Sequence, residues 1–407
     1  MKILLCHNYY RQLGGEDLSF EDEAWLLESR GHNVLRYTVH NDEIPNQSKL
    51  EVAKKTLWNN TVYREVKQLI QKERPDVMHC TNTFPLLSPA IYQAARDEGV
   101  AVVQALRNYR LMCPNAVMTR GDGPCEECLG KLFAWPAILH GCYRNSRMAS
   151  SVVATMLAYH RLKGTWKNNI DLFYTLTEFT RQKYIEGGFP GDRILVKPNF
   201  VRDTTIQGTG SGNYAVYVGR LSHEKGIGTL LDAWKNSDFD LKLKFVGTGP
   251  MSDAVEKQAE NDSRIEWLGQ QTSDQVRQFI ADATCLIFPS TWYETFGRTI
   301  IEAYSVGTPV VASRLGAMKE NVFHGTTGMH FEAGDSDDLS AKVAAIIDHK
   351  DRAGMRRAAR ACYEEKYTPE INYDMLINVY ETSIQNAGIH RPKTQRRQSA
   401  ASIGDDK

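Results

Sequence analysis

Short apolar runs recur along the chain, and between them lie longer stretches with apolar residues at helical spacing. "KILLCHN", "NVLRYTV", "DVMHCTN", "VAVVQAL" and "DLFYTLT" are such runs, and Glu16–Arg30 and Thr61–Arg74 are two of the intervening amphipathic segments. Gly31 stands where a helix C-cap would, and Pro75 follows the second segment as a stop. Strands of this kind alternating with helices predict a parallel sheet covered on both faces. The alternation then restarts. After "RILVKPNF" comes "VRDTTIQGTGSGN", a polar stretch rich in Gly, Ser and Thr that reads as a linker. Beyond it follow "YAVYVG", "LKLKFVG", "RIEWLG", "TCLIFPS", "TPVVAS" and "GMHFE".

The pattern predicts two Rossmann-like, doubly wound α/β domains, residues 1–199 and 200–368, facing one another across a cleft. Ligands of such sheets bind beyond the carboxyl ends of the strands, so the cleft is the expected site. A last helix over 369–388 has no strand to precede and is expected to cross back to the first domain. Residues 389–407 are polar and are expected to be disordered.

Composition narrows the field. The 407 residues suit two domains. Hydrophobic content of 42% and charged content of 24% describe an ordinary globular chain. A formal net charge of zero argues against nucleic acid as the main partner. The apolar run after Met1 is too short for a signal peptide, and no run is long enough to span a membrane. Eight cysteines, some inside strands, suggest free thiols in a reducing, cytoplasmic setting.

Candidate chemistry collects in three loops that directly follow strands of the second half. "VGRLSHEKGIGTLL" carries Arg220 and Lys225, "VGTGPMSDAV" carries Gly249, and "FPSTWYETFGRTIIEA" carries Glu294 and Glu302. Fixed cations beside helix N-termini suit a diphosphate. One glycine loop is weak evidence, but three at one sheet edge converge in space. On an unbroken helix Glu294 and Glu302 would diverge by roughly 80°. A break at Thr295–Gly297 lets them approach one ligand from a loop and a helix. Carboxylates accept hydrogen bonds from vicinal hydroxyls. A glycosidase pair is the alternative, yet cationic phosphate loops have no part in that chemistry. In "YYRQLGGEDLSF", Gly14 and Gly15 stand just before the first helix, where a phosphate or an acceptor could approach the backbone; a plain strand-to-helix turn is the alternative.

These motifs carry a resemblance. "GRLSHEKG", "ETFGRTIIEA", "SVGTPVVAS" and "GTTGMHFEAGDSDDL" resemble the retaining glycosyltransferases of family 4, which have a GT-B fold. "GGEDLSFEDEAWLLESRGHNV" and "LTEFTRQKYIEGGFP" extend the similarity over most of the chain. The resemblance implies transfer of a hexosyl group from a nucleotide-diphosphate sugar, UDP-sugars being commonest, to a hydroxyl acceptor. Configuration would be retained, with no cofactor required for catalysis. Arg220 and Lys225 would hold the diphosphate, Glu302 the ribose and Glu294 the sugar. Phe296, Gly297, Arg298 and Thr299 would meet the phosphates or sugar through their backbone, and Gly15 a phosphate from across the cleft.

Two segments fall outside this scheme. Within an insert at about 107–147, Cys113, Cys125, Cys128 and Cys142 form C-x11-C-x2-C-x13-C. A Cys-x-x-Cys pair with two flanking cysteines suits a structural tetrahedral zinc, though the spacing is not that of a standard ribbon; disulfides and free thiols are the alternatives. The resembling family includes members with a similar insert. In those members a histidine that approaches the donor sugar stands where this chain has Arg107. Arg107 cannot accept a proton at neutral pH but can stabilise negative charge on a leaving phosphate. Between Leu129 and Ile170 there is no acidic residue, while Lys131, Arg144, Arg147, Arg161, Lys163 and Lys167 are basic. That run suits peripheral docking on an anionic membrane, hence a lipid-linked acceptor; a solvated helix face is the alternative. At the level of function, an epimerase, a phosphorylase and a catalytically idle nucleotide-sugar sensor are the competing readings. Of these, the phosphorylase lacks its cofactor-lysine signature.

Overall fold

The computed structural model describes residues 1–390 except 13, 122, 205 and 207. The expected tail therefore lies outside the described residues from 391 onward. The first sheet is wholly parallel, in the order Asn33–His40, Lys2–Tyr9, Val77–Cys80, Ala101–Leu106, Leu172–Thr175, Ile194–Val196. Its central strands Val77–Cys80 and Ala101–Leu106 are buried at every position, which is why they read as unbroken apolar runs. The edge strand Asn33–His40 instead exposes residues along its length.

The second sheet is also parallel: Ile265–Gly269, Lys242–Val246, Tyr214–Val218, Cys285–Phe288, Val310–Ser313, Gly328–Phe331. Numbered by its own strands it runs 3-2-1-4-5-6, the Rossmann order. All the strands expected from the apolar runs are present. The helices Gly15–Ser29 and Asn60–Glu73 match their expected segments to within one residue. Asn59 caps the second of these by accepting from the backbone N–H groups of Thr61 and Val62.

The strand order reverses between Lys2–Tyr9 and Val77–Cys80 in the first sheet, and between Tyr214–Val218 and Cys285–Phe288 in the second. Loops leaving both switch points meet in one cleft. Several bonds hold its walls together. Thr295 Oγ1 donates to the carbonyl of Arg107 at 2.8 Å. The Glu320 carboxylate of the second domain accepts from the first N–H groups of the helix Glu178–Glu186 at 3.0 Å each, an anion placed at the positive end of a helix. The last helix, Pro369–His390, lies on the first domain: the Tyr380 hydroxyl bonds His79 Nδ1 at 3.0 Å, and Asn386 donates to the carbonyl of Asp171 at 3.2 Å.

The polar stretch read as a linker is not a free spacer. Gly208, Gly210 and Gly212 donate their N–H groups to the carbonyls of Val306, Ala281 and Asp282, which straps the stretch along the second domain. Among the described residues no helix is long and apolar enough to cross a membrane.

Candidate active site

Two loops of the second domain build the charged wall of the cleft. After Tyr214–Val218 the chain passes Arg220 and makes one tight turn at His223–Lys225. After Cys285–Phe288 it runs as an irregular loop to Gly297, where φ is +81°, and the helix Arg298–Ser305 begins. A left-handed residue here turns the chain from loop to helix, which suits glycine. The Thr291 N–H donates to the carbonyl of Glu224 at 2.9 Å and ties the loops together, so Lys225 comes to lie beside Glu294.

Glu294 is buried, and its Oε1 accepts from Lys225 Nζ at 2.5 Å, Ser290 Oγ at 2.8 Å and Trp292 Nε1 at 2.9 Å. Its Oε2 has no protein donor among the described residues. The Lys225 ammonium also sits over the Trp292 ring, 5.2 Å from its centre. Arg220 is exposed and has no ion-pair partner among the described residues. On the helix, Glu302 Oε1 accepts from Arg298 Nε at 3.0 Å. Arg298 Nη1 in turn lies 2.8 Å from Asp22 Oδ2 of the first domain, close enough for an ion pair but outside hydrogen-bond alignment. The Arg298 side chain is thus held by carboxylates on both sides. The backbone N–H groups of Arg298 and Thr299 meet no protein acceptor among the described residues, as the first turn of a helix requires.

The cleft has a volume of about 400 Å³. It is lined by Gly15, Arg107, Arg220, Lys225, Glu294, Phe296, Gly297, Arg298, Thr299 and Glu302, which are all the expected site residues of the three loops and the first domain save one. Gly249 is the exception. A Cβ there would come within 2.3 Å of the Leu221 carbonyl, so close packing of two loops explains this glycine without a ligand. Gly15 is the reverse case: a Cβ would meet nothing within 4 Å, so the protein's own packing does not require glycine at this point of the wall.

Arg107 forms part of the cleft floor, but its side chain is turned into the first domain. Glu23 Oε2 lies 2.8 Å from Nη2, the Tyr174 hydroxyl accepts at 3.0 Å, and Asn199 Oδ1 accepts from Nη1. Lys197 Nζ donates to the other Glu23 oxygen at 2.7 Å. His79 Nε2 meets the Tyr174 hydroxyl at 3.1 Å. Burial would raise the Glu23 carboxyl, but Arg107 and Lys197 overcome it and hold that group well below the carboxylate range. Burial, reinforced by the same two cations and only partly opposed by Glu23, pushes His79 down to about 4, so it is neutral. Two buried cations against one carboxylate leave a net positive charge beneath the cleft. Of the Arg107 guanidinium, Nη1 and Nη2 are thus engaged by protein groups, and Nε is buried without an acceptor.

Known proteins now bear on the site. Residues 203–362 match the family model of glycosyl transferases group 1. That span holds Arg220, Lys225, Glu294 and Glu302. The uncharacterized glycosyltransferase MJ1178 of Methanocaldococcus jannaschii is 23% identical over 86% of this chain and 90% of its own. A lipopolysaccharide 1,2-N-acetylglucosaminetransferase of Salmonella typhimurium is 29% identical over 44% of this chain and 49% of its own. Among solved structures, Anabaena Alr3699/HepE in complex with UDP superposes with a TM-score of 0.66, at 20% identity, over 94% of this chain and all of that one. The fold is GT-B, and the matches support a glycosyltransferase.

Sequence reasoning did not single out Asn199, Ser290, Trp292, Glu23 or Lys197. Ser290 and Trp292 lie inside the quoted "FPSTWYETFG", so their nearness to Glu294 was available as a signal. Glu23 and Lys197 stand 174 positions apart and are joined only by the fold.

Proposed function

We propose that this glycosyltransferase moves a hexosyl group from a UDP-sugar to a hydroxyl acceptor with retention of configuration. The observation that carries the reading is the shared cleft: Arg220, Lys225, Glu294, Glu302 and the open start of a helix line one space between the domains. The HepE complexes with UDP and with UDP-glucose favour a nucleotide-sugar donor.

In this reading the diphosphate lies against Arg220, Lys225 and the free N–H groups of Arg298 and Thr299, which also stabilise the charge it gains on leaving. Glu302 accepts from the ribose hydroxyls. The unpartnered Oε2 of Glu294 accepts from the sugar while Oε1 stays anchored, so the carboxylate is oriented before the donor arrives. Lys225 touches both Glu294 and the diphosphate, at the point where sugar and phosphate join. Gly15 admits the phosphate from the opposite wall. Arg107 and Lys197 contribute through the field of their buried cluster, which favours the anionic leaving group. The departing diphosphate takes the proton of the attacking hydroxyl, so neither metal nor carboxylate nucleophile is needed. Release of UDP from a UDP-sugar that rises when acceptor is added tests this directly; binding of UDP with no turnover for any acceptor would leave a sensor instead.

The acceptor side is read as a membrane surface. Leu132, Phe133, Trp135, Leu139, Met148 and Leu162 are large apolar residues exposed on the first domain, with Lys131, Arg144, Arg147, Lys163 and Lys167 exposed among them. Apolar side chains set among basic ones suit an anionic bilayer, each basic residue adding about 1 kcal/mol near the surface. A lipid-linked hydroxyl would then be delivered to the cleft from the bilayer.

A further inference from the structure

The insert that carries Lys131, Leu132, Phe133, Trp135 and Leu139 of these exposed residues has little regular structure to hold it together. Its regular structure amounts to one hairpin of two-residue strands, Thr119–Arg120 and Gly123–Pro124, and one turn of helix, Trp135–Leu139. Its first part is anchored by Tyr109, Leu111, Met112 and Met118 in the core of the first domain, but its second part rests only on the small cluster Cys128, Ala134, Ala137 and Ala154, with Ile138 and Cys142 against it, while Leu132, Phe133, Trp135 and Leu139 face outward. Small segments that cannot bury enough apolar surface are usually stapled by disulfides or a metal.

The structure places a candidate staple there. Cys113, Cys125, Cys128 and Cys142 all line one small cavity of about 20 Å³, room for a single ion or water. They reach it from three pieces of chain. Cys113 ends the turn that begins at Tyr109, Cys125 leaves the hairpin with its N–H on the Met118 carbonyl at 2.7 Å, Cys128 follows one turn later, and Cys142 closes the helix with its N–H on the Ala137 carbonyl at 3.0 Å. All four are free thiols, Cys113 and Cys128 buried and the others half-buried. Thiolates gathered around one cavity repel one another unless a cation lies between them. Among the described residues no three His, Cys, Asp or Glu side chains stand as a metal-holding group, and Cys113 Sγ donates to Asn115 Oδ1 at 2.9 Å, so the four sulfurs must draw together to hold an ion.

We propose that Cys113, Cys125, Cys128 and Cys142 bind one structural zinc ion as thiolates. Four sulfur ligands leave no open position, so the ion acts on architecture and not on the transfer reaction. It pins the insert over the first domain and so fixes the exposed apolar and basic side chains in place. Binding releases the thiol protons as the four sulfurs draw in on the ion.

The test is metal analysis of the full-length protein, expressed with zinc and purified under reducing conditions without chelator. The expected result is about one zinc per chain, retained through dialysis, and a cobalt-substituted form with cobalt–thiolate charge-transfer absorption. Cys125→Ser with Cys128→Ser should lose both signals, whereas Cys285→Ser, buried in a strand of the second domain, should keep them. If the double variant does not fold, the metal content and cobalt spectrum of the unaltered protein remain the readout. Zinc-free protein with all four thiols titrating freely, or two disulfides found by mass spectrometry of protein purified without reductant, would overturn the proposal.

Discussion

Lys225 and Glu294 are expected to serve different parts of one donor, yet in the free protein they bond each other at 2.5 Å. Glu294 is buried and also held by Ser290 and Trp292, while the Lys225 side chain is 25% exposed, so the ammonium can turn to a ligand that offers a phosphate and a hydroxyl side by side. The two residues should separate in experiment. Lys225→Ala should weaken UDP binding about tenfold or more, the order expected for a charge-assisted bond to phosphate, and slow turnover with it. Glu294→Gln should leave UDP affinity within a few-fold and depress kcat, because its contact is to the sugar. Calorimetric titration with UDP beside steady-state kinetics checks both, and equal loss of UDP affinity in the two variants would refute the division of labour. Gly15→Ala should fold with unchanged Tm, since a Cβ there meets open space, but bind UDP less well.

His79 gives a residue-scale prediction in pH. Its folded pKa of about 4 lies below the ordinary histidine value, so between those two values the unfolded chain binds the extra proton. Stability is therefore lost as pH falls from about 6.5 toward 4, by on the order of 3 kcal/mol for this group. Glu23, held low by Arg107 and Lys197, adds to the loss further down, once pH drops below the ordinary carboxylate range. Tm measured at pH 7 and 5 should fall less for His79→Gln than for the unaltered protein. Arg220, Lys225, Glu294 and Glu302 were legible because each follows a strand end, where parallel sheets gather their loops. The Glu23–Arg107–Lys197 cluster was not, since three charges remote in sequence become one group only after the fold has formed.

At the scale of elements, apolar runs and their flanking stop signals located the strands, because buried parallel strands need continuous hydrophobicity. The stretch read as a linker also packs: its glycines let the backbone lie close against the carbonyls of Val306, Ala281 and Asp282. Local composition cannot report a partner surface that comes from elsewhere in the chain. The helix Glu178–Glu186 shows how elements of the two domains join. Glu320 accepts from its first two N–H groups, so Glu320→Gln should lower stability by up to about 1 kcal/mol, read as a modest fall in Tm. The helix Arg147–Leu162 offers a test of docking. Arg147→Glu with Lys163→Glu should cut sedimentation with anionic vesicles tenfold or more and leave neutral vesicles unaffected. Equal binding by the variant would remove this face from the acceptor reading.

Across the whole molecule, the two sheets turn their switch points toward one another, and the last helix returns to the first domain. That arrangement sets the charged loops of the second domain opposite Gly15 and Arg107 of the first. Closure over the donor would exclude water, which otherwise hydrolyses it. The central claim is that Arg220 and Lys225 hold a diphosphate in this cleft, and calorimetric titration of UDP against UMP tests it most directly. The account expects UDP to bind clearly tighter than UMP to the unaltered protein, with that preference abolished in Arg220→Ala with Lys225→Ala. Equal affinities for the two nucleotides, or a preference that survives both substitutions, would contradict it.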